Sequence, residues 1–223
     1  MIDIASNLHA ILQDIPEGTK LVAVSKFHSV AAIQEAYRAG QRIFGESREQ
    51  ELRQKVHALP EDIEWHYIGH LQTNKVKYIV PYIYMVESVD SMKLLEELEK
   101  QAAKIDKTVK VLLEIKVSAE ETKSGLTLET CRTLLADGGW RSLRHVEICG
   151  LMTIASNTDD ERQVASEFDV ADRFFAEVKK AYFADVASFC EKSWGMSYDY
   201  RTALLHGSNM IRVGTSIFGE RIY

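Results

Sequence analysis

Residues 21–46, LVAVSKFHSVAAIQEAYRAGQRIFGE, decide the fold. Leu21-Val22-Ala23-Val24 reads as a buried strand: four apolar residues with no polar alternation. Ser29 then caps a helix whose apolar face is Ile33, Ala36 and Tyr37, and Gly40 lies just past its end. Arg42-Ile43-Phe44-Gly45 is a second short strand. A strand, a helix and a second strand form a βαβ unit, whose two strands lie parallel.

The same alternation runs outward in both directions. Upstream, Ile4, Leu8, Ile11, Leu12 and Ile15 fall on one face of an opening helix. Downstream, a charged helix from Ser47 to about His57 precedes a third strand, Glu64 to Ile68. A helix from about Thr73 to Ile79 leads to a fourth strand, Ile83 to Val86. Asp90 caps a helix carrying Leu94, Leu95, Leu98 and Ala102, and Val109 to Val117 is the fifth strand. Thr127 begins a helix with Leu128, Cys131, Leu134 and Leu135, closed by Gly138-Gly139. Val146 to Leu151 is the sixth strand. Val164, Phe168, Ala171, Phe175 and Val178 mark a long helix, and Lys192 to Met196 and Met210 to Val213 complete eight strands. Eight strand–helix units in 223 residues predict an α/β protein, a single (β/α)₈ TIM barrel spanning residues 1–223, with an open doubly wound sheet as the alternative.

Composition bounds the function. Hydrophobic residues make up 46% and charged residues 27%, which excludes a disordered or collagen-like chain. The net charge of −6 argues against a nucleic-acid binder that works through bulk charge. No run approaches the ~20 apolar residues of a membrane span. The N-terminus lacks the basic start of a secretory signal. Cys131, Cys149 and Cys190 are odd in number and widely spaced, so a reduced, cytoplasmic protein is expected.

In either architecture the site lies at the C-terminal ends of the strands. Those exits carry Ser25-Lys26, Gly45-Glu46-Ser47, Ile68-Gly69-His70, Glu87-Ser88, Lys116, Met152-Thr153, Met196-Ser197 and Gly214-Thr215. Lys26 follows its strand directly. Desolvation there would favour a neutral amine able to form a Schiff base with an aldehyde; a lysine merely snorkelling off a strand end is the alternative. Gly214 lets an anion approach the backbone, Thr215 adds a hydroxyl, and the following helical turn offers amides, although a plain strand–helix junction has the same pattern. Arg212 lies within the last strand. Pointing inward, it needs a partner, either a ring nitrogen or a structural carboxylate. Ser197 is a phosphate donor or an N-cap, and Asp199 is placed to cap the next helix. His66 and His70 are four apart but run from strand into loop, so they do not share a helix face as a zinc HExxH motif requires, and no metal site is expected. Cys149 reads as core.

Taken together, Ala23-Val24-Ser25-Lys26, Phe44-Gly45-Glu46, the run Trp65-His66-Tyr67-Ile68-Gly69-His70-Leu71-Gln72-Thr73-Asn74-Lys75, Gly150-Leu151-Met152-Thr153, Gly195-Met196-Ser197 with Asp199, and Val213-Gly214-Thr215 with Ile217-Phe218-Gly219 resemble the pyridoxal phosphate homeostasis protein family, in its order and over nearly the whole chain. The resemblance implies a barrel like the N-terminal domain of bacterial alanine racemase. It implies pyridoxal 5′-phosphate held as an internal aldimine on Lys26, phosphate contacts from Ser197, Gly214 and Thr215, and Arg212 facing the pyridine nitrogen. Asn74 and Met152 match motif positions near the cofactor. Two departures are visible: Ser47 where the family has Asn, and Asn209 where it reads Gly-Ser-Thr.

The resemblance further implies a carrier that buffers the cofactor for vitamin B6 and amino-acid homeostasis, without robust turnover and with no catalytic residue. The alternative is a cofactor-dependent amino-acid racemase. Racemisation needs acid and base groups on opposite faces of the substrate, and the racemase takes one from a C-terminal β domain for which no residues follow Tyr223. The expected partners are the cofactor itself and cofactor-free enzymes that would receive it, with neither nucleic acid nor membrane. A monomer is expected.

Overall fold

A computed structural model describes residues 2–118, 120 and 124–220. Eight parallel strands close into a barrel in chain order, each pairing with the next and the last with the first. They are β1 (Lys20–Val24), β2 (Ile43–Glu46), β3 (Glu64–Tyr67), β4 (Ile83–Val89), β5 (Val109–Glu114), β6 (Val146–Met152), β7 (Glu191–Met196) and β8 (Met210–Val213). The helices are α1 (Ile4–Asp14), α2 (Val30–Arg38), α3 (Glu49–Val56), α4 (Val76–Ile79), α5 (Met92–Ala103), α6 (Leu128–Asp137), α7 (Glu161–Tyr182), α8 (Tyr200–Leu205) and α9 (Thr215–Phe218).

Strand alternation splits the apolar residues between two cores. Leu21, Ala23, Phe44, Trp65, Leu113 and Ile211 belong to the large cluster that also holds the buried helix residues. Val22, Met85, Leu112, Cys149, Met152 and Met210 form a separate cluster, the filling of the barrel. Cys149 is thus core, and burial pushes its thiol up to about 12.

Local chemistry explains most helix boundaries. Ser29 Oγ accepts from the Ala32 amide at 3.2 Å and starts α2. Thr127 does the same for α6, which ends on Gly138 at φ +73°, a left-handed position that glycine fills without a Cβ clash.

Several boundaries differ from the sequence expectation. α5 is capped by Ser91, whose Oγ accepts from Leu94 N, and not by Asp90. α3 starts at Glu49, two residues after Ser47. β4 runs on to Val89, so Glu87 and Ser88 are buried strand residues rather than an exit loop. β5 stops at Glu114, and beyond it Ile115 bridges to Leu126. On α1, Leu12 is exposed while Ile4, Leu8 and Ile11 are buried. On α7, Phe174 is buried and Phe175 packs at the rim of the core.

Candidate functional site at the open end of the barrel

Because every strand is parallel, all eight C-terminal ends open on one side. Lys26 stands in the turn after β1, half-buried, one residue past Ser25. β8 is its neighbour, with Ala23 opposite Val213. There Gly214 lies against β1: a Cβ on it would come within 3.1 Å of the Val24 carbonyl oxygen and 3.2 Å of Val24 Cβ. The Gly214 amide donates to Ser197 Oγ at 3.2 Å, which joins the β7 and β8 exits. Gly214 is also the N-cap of α9, and no side chain caps that turn. The structure therefore joins Ser197 to Gly214 and seats Gly214 on Val24, two residues before Lys26, with Thr215 next in the chain. The exits of β7 and β8, with the Ser197 hydroxyl and the start of α9, adjoin the exit of β1 that carries Lys26.

Ser197 is not a helix cap. Asp199 occupies the N-cap position of α8 but makes no side-chain cap there; its Oδ1 accepts from Met196 N at 2.5 Å and folds the 196–199 turn. That turn sets Ser197 facing Gly214.

Beside the apolar filling, the barrel also buries a polar network. Arg212 is 4% exposed. Its Nη1 donates to the Ser193 carbonyl at 2.8 Å and to Ser193 Oγ at 2.6 Å, and its Nη2 donates to the Thr153 carbonyl at 2.8 Å. Ser193 Oγ donates to Glu87 Oε2 at 2.6 Å, and that carboxylate lies 3.6 Å from Arg212 Nη1. Glu87 Oε1 meets His66 Nδ1 at 2.6 Å. Burial alone would push the Glu87 carboxyl up. Hydrogen bonds from His66 and Ser193 and the Arg212 charge outweigh that and hold it below the usual carboxylate range. His66 Nε2 is buried with no hydrogen-bond partner among the described residues. Arg212 thus has a structural carboxylate and carbonyls for partners, one of the two alternatives the sequence left open.

Met152, 1% exposed, sits at the end of β6 in the barrel filling. Ser47 lines a cleft of about 390 Å³ with Arg48, Tyr67, His70 and Lys75. Its carbonyl accepts from Tyr67 Oη at 3.1 Å, and burial, with the Glu49 charge, pushes that phenol up to about 12. A Cβ on Gly69 would meet the Ser47 carbonyl at 2.6 Å, so the β2 and β3 exits pack closely. Asn74 is exposed on a 3₁₀ turn (Thr73–Lys75), and the structure shows no contact that ties it to the rim. Asn209 lies at the opposite end of β8, where Oδ1 accepts from Lys192 N and Nδ2 donates to the Cys190 carbonyl. That departure from the family pattern leaves the rim untouched. His66 and His70 take different partners, His70 facing Asp90 at 3.4 Å.

Sequence reading did not pick out Glu87, Ser193 or the role of His66. One signal was available: a carboxylate in the run Tyr84–Val89 must find partners inside a barrel.

Comparison with known proteins places these features in context. The model of the alanine racemase N-terminal domain family matches residues 2–222. The chain is 38% identical over 220 residues to the pyridoxal phosphate homeostasis protein of Synechocystis, covering 95% of this chain and 96% of that protein. It is 36% identical over 205 residues to the protein of the same name from Aquifex aeolicus, covering 92% and 88%. Among solved structures, PipY of Synechococcus elongatus without pyridoxal phosphate superposes with a TM-score of 0.91 at 37% identity, covering 97% of this chain and all of that one. PipY with pyridoxal phosphate bound gives 0.88 at 36% identity, with the same coverage. Alanine racemase of Clostridium difficile gives 0.78 at 16% identity, covering 98% of this chain and 59% of that one, a likeness of fold.

Proposed function

The chain belongs to the pyridoxal phosphate homeostasis protein family, on the alanine racemase N-terminal domain, and on that premise we propose that it holds pyridoxal 5′-phosphate at the open end of its barrel, with Lys26 as the covalent anchor. One observation carries the reading. Gly214, bonded to Ser197, is seated on Val24, two residues before Lys26, so the turn after β8 and the lysine turn share one rim. A PipY structure with pyridoxal phosphate bound supports it.

The residues present fit such a group. When bound, the cofactor supplies an aldehyde that condenses reversibly with a primary amine, releasing water and leaving a Schiff base. Lys26 offers that amine at a strand exit. Ser197 and Thr215 offer hydroxyls, and the start of α9 offers backbone amides to a dianionic phosphate. The absence of a side chain at Gly214 lets the turn pack directly on Val24, which keeps the β8 exit beside the lysine turn. Arg212, fixed by Ser193, Thr153 and Glu87, would supply a permanent cation to a bound ring. Such a group leaves a facing ring nitrogen unprotonated and weakens the ring as an electron sink, which suits holding more than turnover. Met152, at the end of β6, and Ser47, at the β2 exit, are the remaining candidates to border the bound group, and Asn74 has no contact among the described residues that ties it to the rim.

Every group named here lies in one chain, which suits a monomeric single domain acting as a reversible store. Release to cofactor-free enzymes, in support of vitamin B6 and amino-acid homeostasis, belongs to the same reading. So does a cytoplasmic setting, which the free thiols of Cys131, Cys149 and Cys190 favour.

Titration of the cofactor-free protein with pyridoxal 5′-phosphate tests the proposal. The parent should gain a long-wavelength absorbance band, and Lys26→Ala should not, while its circular dichroism stays the same. An identical band in both proteins would overturn the anchor. Formation of D-alanine from L-alanine by the loaded protein, at even ~1 s⁻¹, would overturn the view that it only holds the cofactor.

A further inference from the structure

Beside the lysine turn, on the helix side of the barrel wall, lies a second buried array of charges. Lys55 on α3 is 6% exposed, and lysines are almost never that buried without partners. All three donors of its ammonium are engaged: Glu46 Oε1 at 2.8 Å, Glu51 Oε2 at 3.0 Å and the Ser25 carbonyl at 3.0 Å. Glu46, fully buried at the end of β2, also accepts from Ser25 Oγ at 2.6 Å. Glu51 Oε2 accepts from the Phe27 amide at 2.7 Å.

These contacts converge on the two neighbours of Lys26. Ser25 is held through its hydroxyl and carbonyl, and its amide donates to the Gly45 carbonyl at 3.0 Å. Phe27 is held through its amide, and the Arg48 guanidinium lies 4.6 Å from its ring centre. Phe27 has φ +66°, a left-handed conformation that an aromatic residue adopts only where its surroundings impose it. His28 N closes the turn on the Ser25 carbonyl at 3.0 Å.

Fold stability alone does not call for this arrangement. Apolar residues of similar volume stabilise a core as well as a buried ion cluster does, without desolvating charges. A cluster of fixed hydrogen bonds does supply one thing that apolar packing does not: a single orientation of the backbone it grips. We propose that Glu46, Lys55 and Glu51 are positioning residues that hold the 25–28 turn so that the Lys26 amine is presented to an aldehyde bound at the rim. The proposal rests on the reading of Lys26 as the anchor. It concerns residues that lie behind the turn.

Two ligands separate positioning from folding. Pyridoxal 5′-phosphate can bond to Lys26. Pyridoxine 5′-phosphate has an alcohol in place of the aldehyde and cannot. Dissociation constants for both are measured on the parent, Lys55→Met and Glu51→Gln, each with Lys26 intact and in a Lys26→Ala background. The milder Glu51→Gln covers the case in which Lys55→Met fails to fold. With Lys26 present, each variant should weaken the aldehyde ligand about tenfold and the alcohol ligand by less than about twofold. In the Lys26→Ala background neither variant should change either ligand, because the residue they act through is gone. Equal weakening of both ligands, no weakening of either, or a loss that persists without Lys26 would overturn the proposal. Failure of the parent to bind the aldehyde ligand would instead overturn the functional reading beneath it.

Discussion

Replacing Glu87 with Gln keeps the shape of the side chain and removes its charge. The charge is what matters in a fully buried carboxylate 3.6 Å from the Arg212 guanidinium. At an effective dielectric of about 20, a pair at that separation attracts by about 4–5 kcal/mol. Removing one partner of a buried pair costs about 3–5 kcal/mol, because the other charge stays desolvated. The glutamine still accepts one hydrogen bond from Ser193 or His66, so the expected loss is at the lower end, about 3 kcal/mol. For a chain of this length that lowers Tm by about 6–12 °C. Urea denaturation and thermal scans of the cofactor-free protein at neutral pH read both quantities. A second variant, Glu87→Gln with Arg212→Met, removes both charges and should regain at least about 1 kcal/mol of the loss. The same variant has a pH signature. Because the Glu87 carboxyl is held below its unfolded value, its contribution is present above the ordinary carboxylate range and is lost as the pH falls through the folded value. The stability of the parent should therefore fall more steeply in acid than that of Glu87→Gln. A Glu87→Gln protein within about 1 kcal/mol of the parent, or a double variant no more stable than the single, would refute the view that this carboxylate holds the arginine.

Two further outcomes follow from packing and burial. A Cβ at Gly150 would lie 1.8 Å from the Glu191 carbonyl oxygen, a backbone atom of the paired strand, so Gly150→Ala should destabilise by about 3 kcal/mol or more in urea denaturation; a change under about 1 kcal/mol would show that the β6–β7 contact can relax. Of the three thiols, Cys190 is exposed while Cys131 and Cys149 are buried, each pushed up to about 12, so alkylation of the native protein at mildly alkaline pH, read by mass mapping, should modify Cys190 alone, and prompt native modification of Cys149 would contradict its place in the barrel filling.

The barrel was legible in the sequence because its repeat is written in local chemistry. Leu21–Val24, the Ser29 cap and the Phe44 strand need only neighbours a few positions away. The position of Lys26, Ser197, Gly214 and Thr215 at strand exits was legible because parallel topology sends every exit to one rim. What escaped was long-range or ambiguous. The Glu87 partners His66 and Ser193 lie 21 and 106 positions away, and no local pattern reports such pairings. The same polarity made Glu87-Ser88 look like a loop, although these residues continue β4, with Glu87 bonded to His66 and Ser193 and Ser88 to the Gly69 carbonyl. α8 has six residues, too few to show a helical period. At α5, Asp90 and Ser91 are adjacent candidate caps, and only geometry chose the serine. The Lys55 array was missed because α3 reads as a charged surface helix, yet its Lys55 and Glu49 are buried.

The most direct measurement of the central claim is chemical trapping. Cofactor-free protein is soaked in pyridoxal 5′-phosphate, reduced with borohydride, digested and mapped by mass. The account predicts one pyridoxyl group, on the peptide that contains Lys26. A label on a different lysine, or no label at all, would contradict it.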